Sequence, residues 1–442
     1  MLLQMSVLKR ILIFIILLLV SFQLAACGVA IPAPTAIVEI TPTFTPPIPT
    51  ATLPLPTPAL TSTPASSLPV SSAPDGLRMA YIIDGNLYFQ NGSHPPVQLT
   101  YSGEEQRPLF FSQDGKKIFF YRGIFPQSIY SITTDGMQEQ ALFTTTLLIT
   151  FDAGYDETIT PCDPALVPHS HFLLFRTCSH PDENTTIRNG DLFIVDTDTN
   201  EVKNLLPRGE GGTFFISPDG RMLAIRVQNS INIVGIDGKT IRDKLITYTP
   251  SEPIPLAPLV YWISDSKGLI VAVPINTFYD TSQPPTYSIW RYSFDTGEGI
   301  QISLNPPPMS HEAMWVSTDG NWITYNNYYE HSFYLGDLRN GSARPYEIAL
   351  PHEWSLDNVH FIYNVPQPGG SDLYLASVDA PPVFVGKGEF IGWLDSSRYI
   401  YFTDQTFILG EIDREPIPIL VGNTQSLFSH ARFIFAYQLS SK

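Results

Sequence analysis

Two His-Glu pairs, His311-Glu312 and His352-Glu353, each stand just ahead of a tryptophan, Trp315 and Trp354. A histidine beside a carboxylate offers a proton acceptor and a metal ligand, and two carboxylates in one cavity split their pKa values into an acid and a base. Arg107 and Glu389 hold comparable places in other parts of the chain, so acid, base and cation would converge on a polar ligand if the fold gathered them. The same residues also suit solvated positions where strands begin. Which use applies depends on the elements that carry them.

Other constellations are thinner. His169, His171, Cys178 and His180 include zinc-ligand types, but their spacing matches no zinc finger, and no metal is expected. Asp196-Thr-Asp198-Thr-Asn200-Glu201 begins like a calcium loop and lacks its sixth-position glycine and twelfth-position glutamate, so it is expected to be a turn. Phe278, Tyr279, Tyr287 and Trp290 could stack on a sugar or a peptide, or pack into a core. The chain has no Gly-x-Ser-x-Gly elbow, no Walker loop and no Gly-x-Gly-x-x-Gly, which removes the usual serine-hydrolase and nucleotide chemistries. No cofactor is expected.

The elements that would position these residues repeat. One is an aromatic run, an acidic turn and an alternating strand, as in Phe110-Phe-Ser-Gln-Asp114-Gly115-Lys-Lys-Ile-Phe-Phe120 and Phe214-Phe-Ile-Ser-Pro-Asp219-Gly220-Arg-Met-Leu-Ala-Ile225. It returns around Asp265, Asp319, Asp357 and Asp395. A second element, Leu or Ile followed by an aromatic, recurs from Asn86 to Phe89 through to Phe407-Ile-Leu409. Asp-Gly occurs seven times, and its glycine supplies the positive φ a tight hairpin needs. The 368 residues from Asp75 to Lys442 make eight units of 46, the size of a four-stranded propeller blade.

Pro-x-Phe/Trp-Ser-Pro-Asp-Gly-Lys/Arg-x-Ile/Leu-x-Phe, with Ile/Leu-Tyr and Leu-Thr following, resembles the TolB-type, WD-like β-propeller repeat. Residues 107–120 with Ile129-Tyr130, and residues 214–225, match best; only Ser217-Pro218-Asp219-Gly220 keeps the full core. The resemblance implies an all-β propeller of four-stranded blades, eight of them, or seven if the third unit is an insertion, since Leu166 to Phe175 lacks the Asp-Gly turn. It implies no function, because propellers serve many. The first unit starts at a second-strand pattern, Arg78 to Ile82, and Ala431 to Tyr437 is left over at the other end; pairing the two would close the ring without an open edge. In an a-b-c-d meander the acidic turns are a–b and c–d connections. The longer connections (Phe143 to Pro164, Thr177 to Gly190, Pro274 to Thr286, Asn305 to Ser310, Asn364 to Ser371) are all b–c or d–a, so they share the opposite face, the expected binding face.

The N-terminus reads as an export signal: Lys9-Arg10, an apolar run from Ile11 to Val20, and small residues before Cys27. Ile11 to Ala26 is 16 uncharged residues, short of the ~20 that span a bilayer, although an uncleaved anchor is the alternative. Leu24-Ala25-Ala26-Cys27 resembles the bacterial lipobox, which implies cleavage before Cys27 and a diacylglycerol on its thiol. The expected organisation is a signal peptide at 1–26, lipidated Cys27 with a Pro/Thr-rich stalk at 27–76, and the propeller at 77–442. Exported and facing the extracytoplasmic side, the remaining Cys162 and Cys178 are expected to form a disulfide, with two free thiols as the alternative. With Cys27 assigned to lipid and the other two to a disulfide, no cysteine nucleophile is left. A formal charge of −17, from 42 Asp+Glu against 25 Lys+Arg, excludes a nucleic-acid partner on electrostatic grounds. The reading is a lipid-anchored, non-catalytic recognition or scaffold module for a protein, peptide or glycan; the alternative is a surface hydrolase or lyase using the carboxylates and histidines at the channel mouth.

Overall fold

The computed structural model describes residues 70–123, 127–144, 158–182, 185–249, 256–275, 286–309, 314–327, 332–346, 350–368, 370–404, 406–421 and 433–437. The signal segment, Cys27, most of the stalk, His311, Glu312, Phe278 and Tyr279 lie outside them. The described residues form only strands and their connections, with no helix among them.

Eight antiparallel sheets follow one another along the chain. Blade 2 is the plain case: Glu105–Phe111, Lys117–Arg122, Ser128–Thr133 and Glu139–Phe143 pair in sequence order. The first strands of neighbouring blades touch: Thr213–Ile216 meets Leu259–Trp262, and Leu350–Trp354 meets both Trp315–Val316 and Glu389–Trp393. First strands are therefore the inner ones and the sheets form a ring. The third unit is a full blade, with Thr158–Leu166, Phe172–Asp182, Leu192–Asp196 and Val202–Leu206, so the count is eight and not seven. Ring closure runs as the pattern predicts: Phe433–Tyr437 pairs with Leu77–Ile83 and becomes the inner strand of blade 1.

Second strands are apolar almost throughout because both their faces are buried. Leu77, Met79, Tyr81 and Ile83 pack against Ile400, Phe407 and Leu409 of blade 8, while the intervening Ala80 and Ile82 pack against Ile118 and Phe120 of blade 2. One strand thus belongs to two cores, and each core lies between two blades.

The recurring Ser-x-Asp-Gly turn is also explained. In blade 4 the Ser217 hydroxyl donates to Asp219 Oδ1 (2.6 Å) and accepts from the Met222 N–H (2.9 Å), while Asp219 Oδ1 also accepts from the Arg221 N–H (3.1 Å). Gly220 has φ +70°, and a Cβ there would lie 2.3 Å from the Pro168 carbonyl oxygen of the preceding blade. Blades 2 and 6 repeat the arrangement at Ser112/Asp114 and Ser317/Asp319. In the degenerate third unit His169 takes the left-handed position instead, at φ 58°.

One further pairing lies within the stretch read as stalk. Val70 and Ser71 pair with Val421 and Leu420, adding a fifth strand to blade 8, and Ala73 is buried beside them. An outer strand edge carries unpaired backbone groups, and these residues cover it.

Candidate functional site

The inner strand of blade 7, Leu350–Trp354, does not run in even register. Pro351 pairs with Tyr363 and Trp354 with Phe361, so His352 and Glu353 together face the single residue Ile362. Such a β-bulge re-aims side chains, and here the two members of the His-Glu pair part company. His352 packs on Phe390 of blade 8, ring centroids 5.3 Å apart, and lines a cavity of about 580 Å³. Glu353 does not line it. Its side chain reaches solvent, yet crowding by the surrounding strands raises its carboxyl above the ordinary value.

Indole N–H groups tie the inner strands together, that of Trp354 beside the second pair among them. Trp393 Nε1 donates to the Glu353 carbonyl (3.0 Å), Trp354 Nε1 to the Trp315 carbonyl (3.1 Å) and Trp262 Nε1 to the Phe215 carbonyl (2.9 Å). Each ties an inner strand to the blade before it.

The cavity lies between blades 7 and 8, where their b–c and d–a connections meet. Asn364, Gln367, Ser371 and Asp372 come from the blade 7 b–c connection and its flanks, Lys387 and Glu389 from the d–a connection, and Thr403 and Asp404 from the end of the second strand of blade 8. Gly388 makes this close approach possible. Its φ is +140°, a Cβ would lie 2.1 Å from the Phe402 carbonyl oxygen, and its N–H donates to the Ser371 carbonyl (2.9 Å).

His352 and Asn364 interact with each other side chain to side chain at this cavity, and Asp372 Oδ1 is closed to solvent without a hydrogen-bond partner. Burial holds the His352 pKa below its ordinary value, with Asn364 and the Glu389 charge opposing, so the ring is neutral at neutral pH. Lys387 Nζ stands 3.9 Å from Asp372 Oδ1 and is itself largely exposed. Buried polar groups are nearly always satisfied, and at this opening the unmatched group is Asp372 Oδ1.

Of the candidates from sequence, His352 and Glu389 meet at this cavity. Arg107 does not; it is exposed on blade 2 with its guanidinium 5.0 Å from the Tyr121 ring centroid. His311 and Glu312 are outside the described residues. No motif in the sequence marks Asn364, Asp372 or Lys387, although strand parity puts the Asn364–Ser371 connection on this face.

On the opposite face, His171, Asp196 and Asp198 bring ligand atoms within 4.8 Å of one another, with His171 Nε2 3.4 Å from Asp196 Oδ2. The Lys117 ammonium already sits among them, 2.8 Å from Asp198 Oδ1 and 2.9 Å from the Thr197 carbonyl. Asp196 Oδ1 accepts from the Asp198 and Thr199 N–H groups, which makes this segment a capped c–d turn. Cys178 is joined to Cys162, Cα–Cα 5.9 Å, and His180 Nε2 lies 2.9 Å from Thr160 Oγ1; the His169, His171, Cys178 and His180 set is not assembled.

No family model and no curated protein matches the chain. Among solved structures it is similar to an oligogalacturonate lyase from Vibrio parahaemolyticus (15% identity, 66% of this chain and 83% of that one, TM-score 0.44). It is also similar to dipeptidyl peptidase 4 of Porphyromonas gingivalis (14% identity, 71% and 52%, TM-score 0.49) and to TolB of Acinetobacter baumannii (12% identity, 72% and 78%, TM-score 0.35). The eight-blade architecture rests on the strand pairings themselves.

Proposed function

We propose that this chain is a ligand-recognition propeller of the cell envelope, held by lipid on Cys27 and carried on the proline-rich stalk, and that it binds a polar ligand between blades 7 and 8. The observation that carries the reading is a cavity of ligand size, about 580 Å³, onto which His352, Asn364, Asp372, Lys387 and Glu389 converge from two blades. A recognition site needs only complementarity, whereas catalysis needs an acid and a base within reach of one bond.

Two measurements test it. Cys27→Ala in cells is expected to abolish incorporation of labelled fatty acid and to release the protein from membranes; unchanged membrane association and labelling would remove the anchor. Binding of oligosaccharides and short peptides to the full-length chain in detergent, with and without Asn364→Ala, reads the cavity. A ligand whose affinity is insensitive to Asn364→Ala would place recognition elsewhere.

A second reading, a surface hydrolase or lyase, draws on the neutral imidazole of His352 beside Glu389, an arrangement able to accept a proton. Product formation from the bound ligand, lost in His352→Gln with binding retained, would establish it over simple recognition.

A further inference from the structure

We infer that the chain carries a second ligand site, for an oxyanion, where blades 3 and 4 meet on the face of the long connections. Arg176, Arg226 and the Thr213 hydroxyl form it, and it takes the carboxylate or phosphoryl group of a small acidic molecule. It is separate from the cavity between blades 7 and 8.

Strand register brings these groups together. Thr213 opens the inner strand of blade 4, Arg226 closes the second strand, and the two pair directly in the ladder. This is the end of the blade from which the b–c and d–a connections leave. Arg176 lies in the second strand of blade 3, opposite Cys162 of the inner strand, and its guanidinium reaches across to blade 4. Both arginines donate to one oxygen: Arg226 Nη2 stands 3.2 Å from Thr213 Oγ1, and Arg176 Nη1 stands 3.4 Å from it.

That shared contact decides the chemistry. A hydroxyl has two lone pairs and one proton, so Thr213, accepting from two guanidinium groups, has only its O–H left to offer. Arg226 gives one further N–H to the Pro258 carbonyl, 2.5 Å away, out of the five that a guanidinium carries. What remains is a surface of donors alone, and its complement is an acceptor.

Charge points the same way. Arg176 pairs with Asp163, but Arg188 shares that carboxylate, its Nε 3.3 Å from Asp163 Oδ2. Among the described residues no carboxylate pairs with Arg226, whose partners are a carbonyl and a hydroxyl. Three arginines therefore stand against one carboxylate, a surplus of two positive charges in a chain whose formal total is −17. Charges removed from water are ordinarily paired, and Arg226 is half-buried with a like charge beside it. Burial holds its pKa below the ordinary value, Tyr248 opposes the fall, and the Arg176 charge adds to it. An oxyanion between the two forks replaces that repulsion by charge-assisted bonds, and guanidinium groups suit carboxylate and phosphate geometry in particular.

Calorimetric titration of the full-length chain in detergent, in a buffer whose only anion is chloride, tests this with four probes: inorganic phosphate, glucuronic acid, glutamyl-glutamate and neutral glucose. At least one of the three anions is expected to bind at least about tenfold more tightly than glucose, to weaken as salt is raised, and to lose about tenfold or more in Arg226→Gln. The three anionic arms distinguish a phosphoryl, an acidic-sugar and an acidic-peptide source. Arg226→Lys keeps the charge without the fork and is expected to lose less, and Arg414→Gln, at an exposed turn of blade 8, is expected to change affinity less than about twofold. Without anion, the melting temperature of Arg226→Gln is expected to equal or exceed that of the unaltered chain, because the substitution removes the repulsion from Arg176. Binding of no anion, binding as tight for glucose, or anion binding that survives Arg226→Gln overturns the site. A lower melting temperature in Arg226→Gln with the anion response unchanged likewise overturns it and leaves Arg226 as a tie to Pro258. None of these variants touches Asn364, so failure here and failure of the cavity between blades 7 and 8 are read separately.

Discussion

Phe433 stands directly opposite Tyr81 in an antiparallel ladder, their ring centroids 5.4 Å apart, and this pair joins the two ends of the described chain into one sheet. Phe433 is buried and also packs on Phe407 of blade 8, centroids 4.7 Å apart. Phe433→Ala is expected to cost about 3–5 kcal/mol in denaturant unfolding, as for other buried phenylalanines. Removing residues 433–442 uncovers the edge of Leu77–Ile83 and is expected to give concentration-dependent association in sedimentation, because an unpaired apolar strand templates pairing. A deletion that stays monomeric and equally stable would contradict this closure.

A buried ion pair in blade 2 gives a second expectation. Arg122 Nη2 lies 2.7 Å from Glu105 Oε1, whose side chain is fully enclosed, and Arg122 Nη1 lies 2.7 Å from Glu139. Arg122→Met leaves a buried carboxylate without its cation and is expected to cost about 3–5 kcal/mol. The double variant Glu105→Met/Arg122→Met is expected to recover much of that loss, since the desolvation of both charges is then absent. Additive losses in the double-mutant cycle would show that the two groups do not act as a pair.

The turn aspartates predict the acid behaviour. For Asp114, Asp219, Asp357 and Asp395 burial pushes the pKa up, but hydrogen bonds from turn N–H groups and neighbouring side chains outweigh it and hold each below the ordinary 3.8. A folded-state pKa below the unfolded one means that the stabilisation is complete above the unfolded value and is lost as pH falls through the folded ones. Melting temperature is therefore expected to drop from about pH 4 downward. Asp219→Ala is expected to cost about 1 kcal/mol at neutral pH and to flatten the acid limb. An acid limb unchanged in Asp219→Ala would remove that carboxylate from the account.

Blade 3 depends on a covalent link. The Cys162–Cys178 bridge ties its inner strand to its second strand, and Thr185–Arg188 folds back on the far end of the latter. Reduction is expected to remove about 3 kcal/mol, the chain-entropy value for a loop of this length. Hydrogen exchange is expected to quicken first in residues 158–166 and 185–188. Uniform quickening across all eight blades would mean that the bridge acts on the whole ring and not on this blade.

Repeat number, blade order and ring closure were legible in the chain because they rest on local, repeated physics. An Asx-capped turn needs Ser, Asp and Gly at set spacing, and a strand buried on both sides needs an unbroken apolar run; Phe214 to Ile225 shows both. The loop face was legible too, since strand parity alone decides on which side Asn364 to Ser371 must fall. The site was legible only in part. The sequence places His352 and Glu353 side by side at one strand entry, but one inserted residue in the inner strand sends His352 to the cavity and Glu353 away from it. Arg107 occupies a comparable place in its repeat and ends on the Tyr121 ring. A bulge, a close backbone approach at Gly388, and the convergence of Asn364, Asp372 and Glu389 from three separate strands depend on how neighbouring sheets pack. Turn and strand chemistry is local and repeats with the sequence, so the chain alone determined the ring. Contacts between blades join residues distant in sequence, so only the tertiary structure decided which side chains face one another across the cavity.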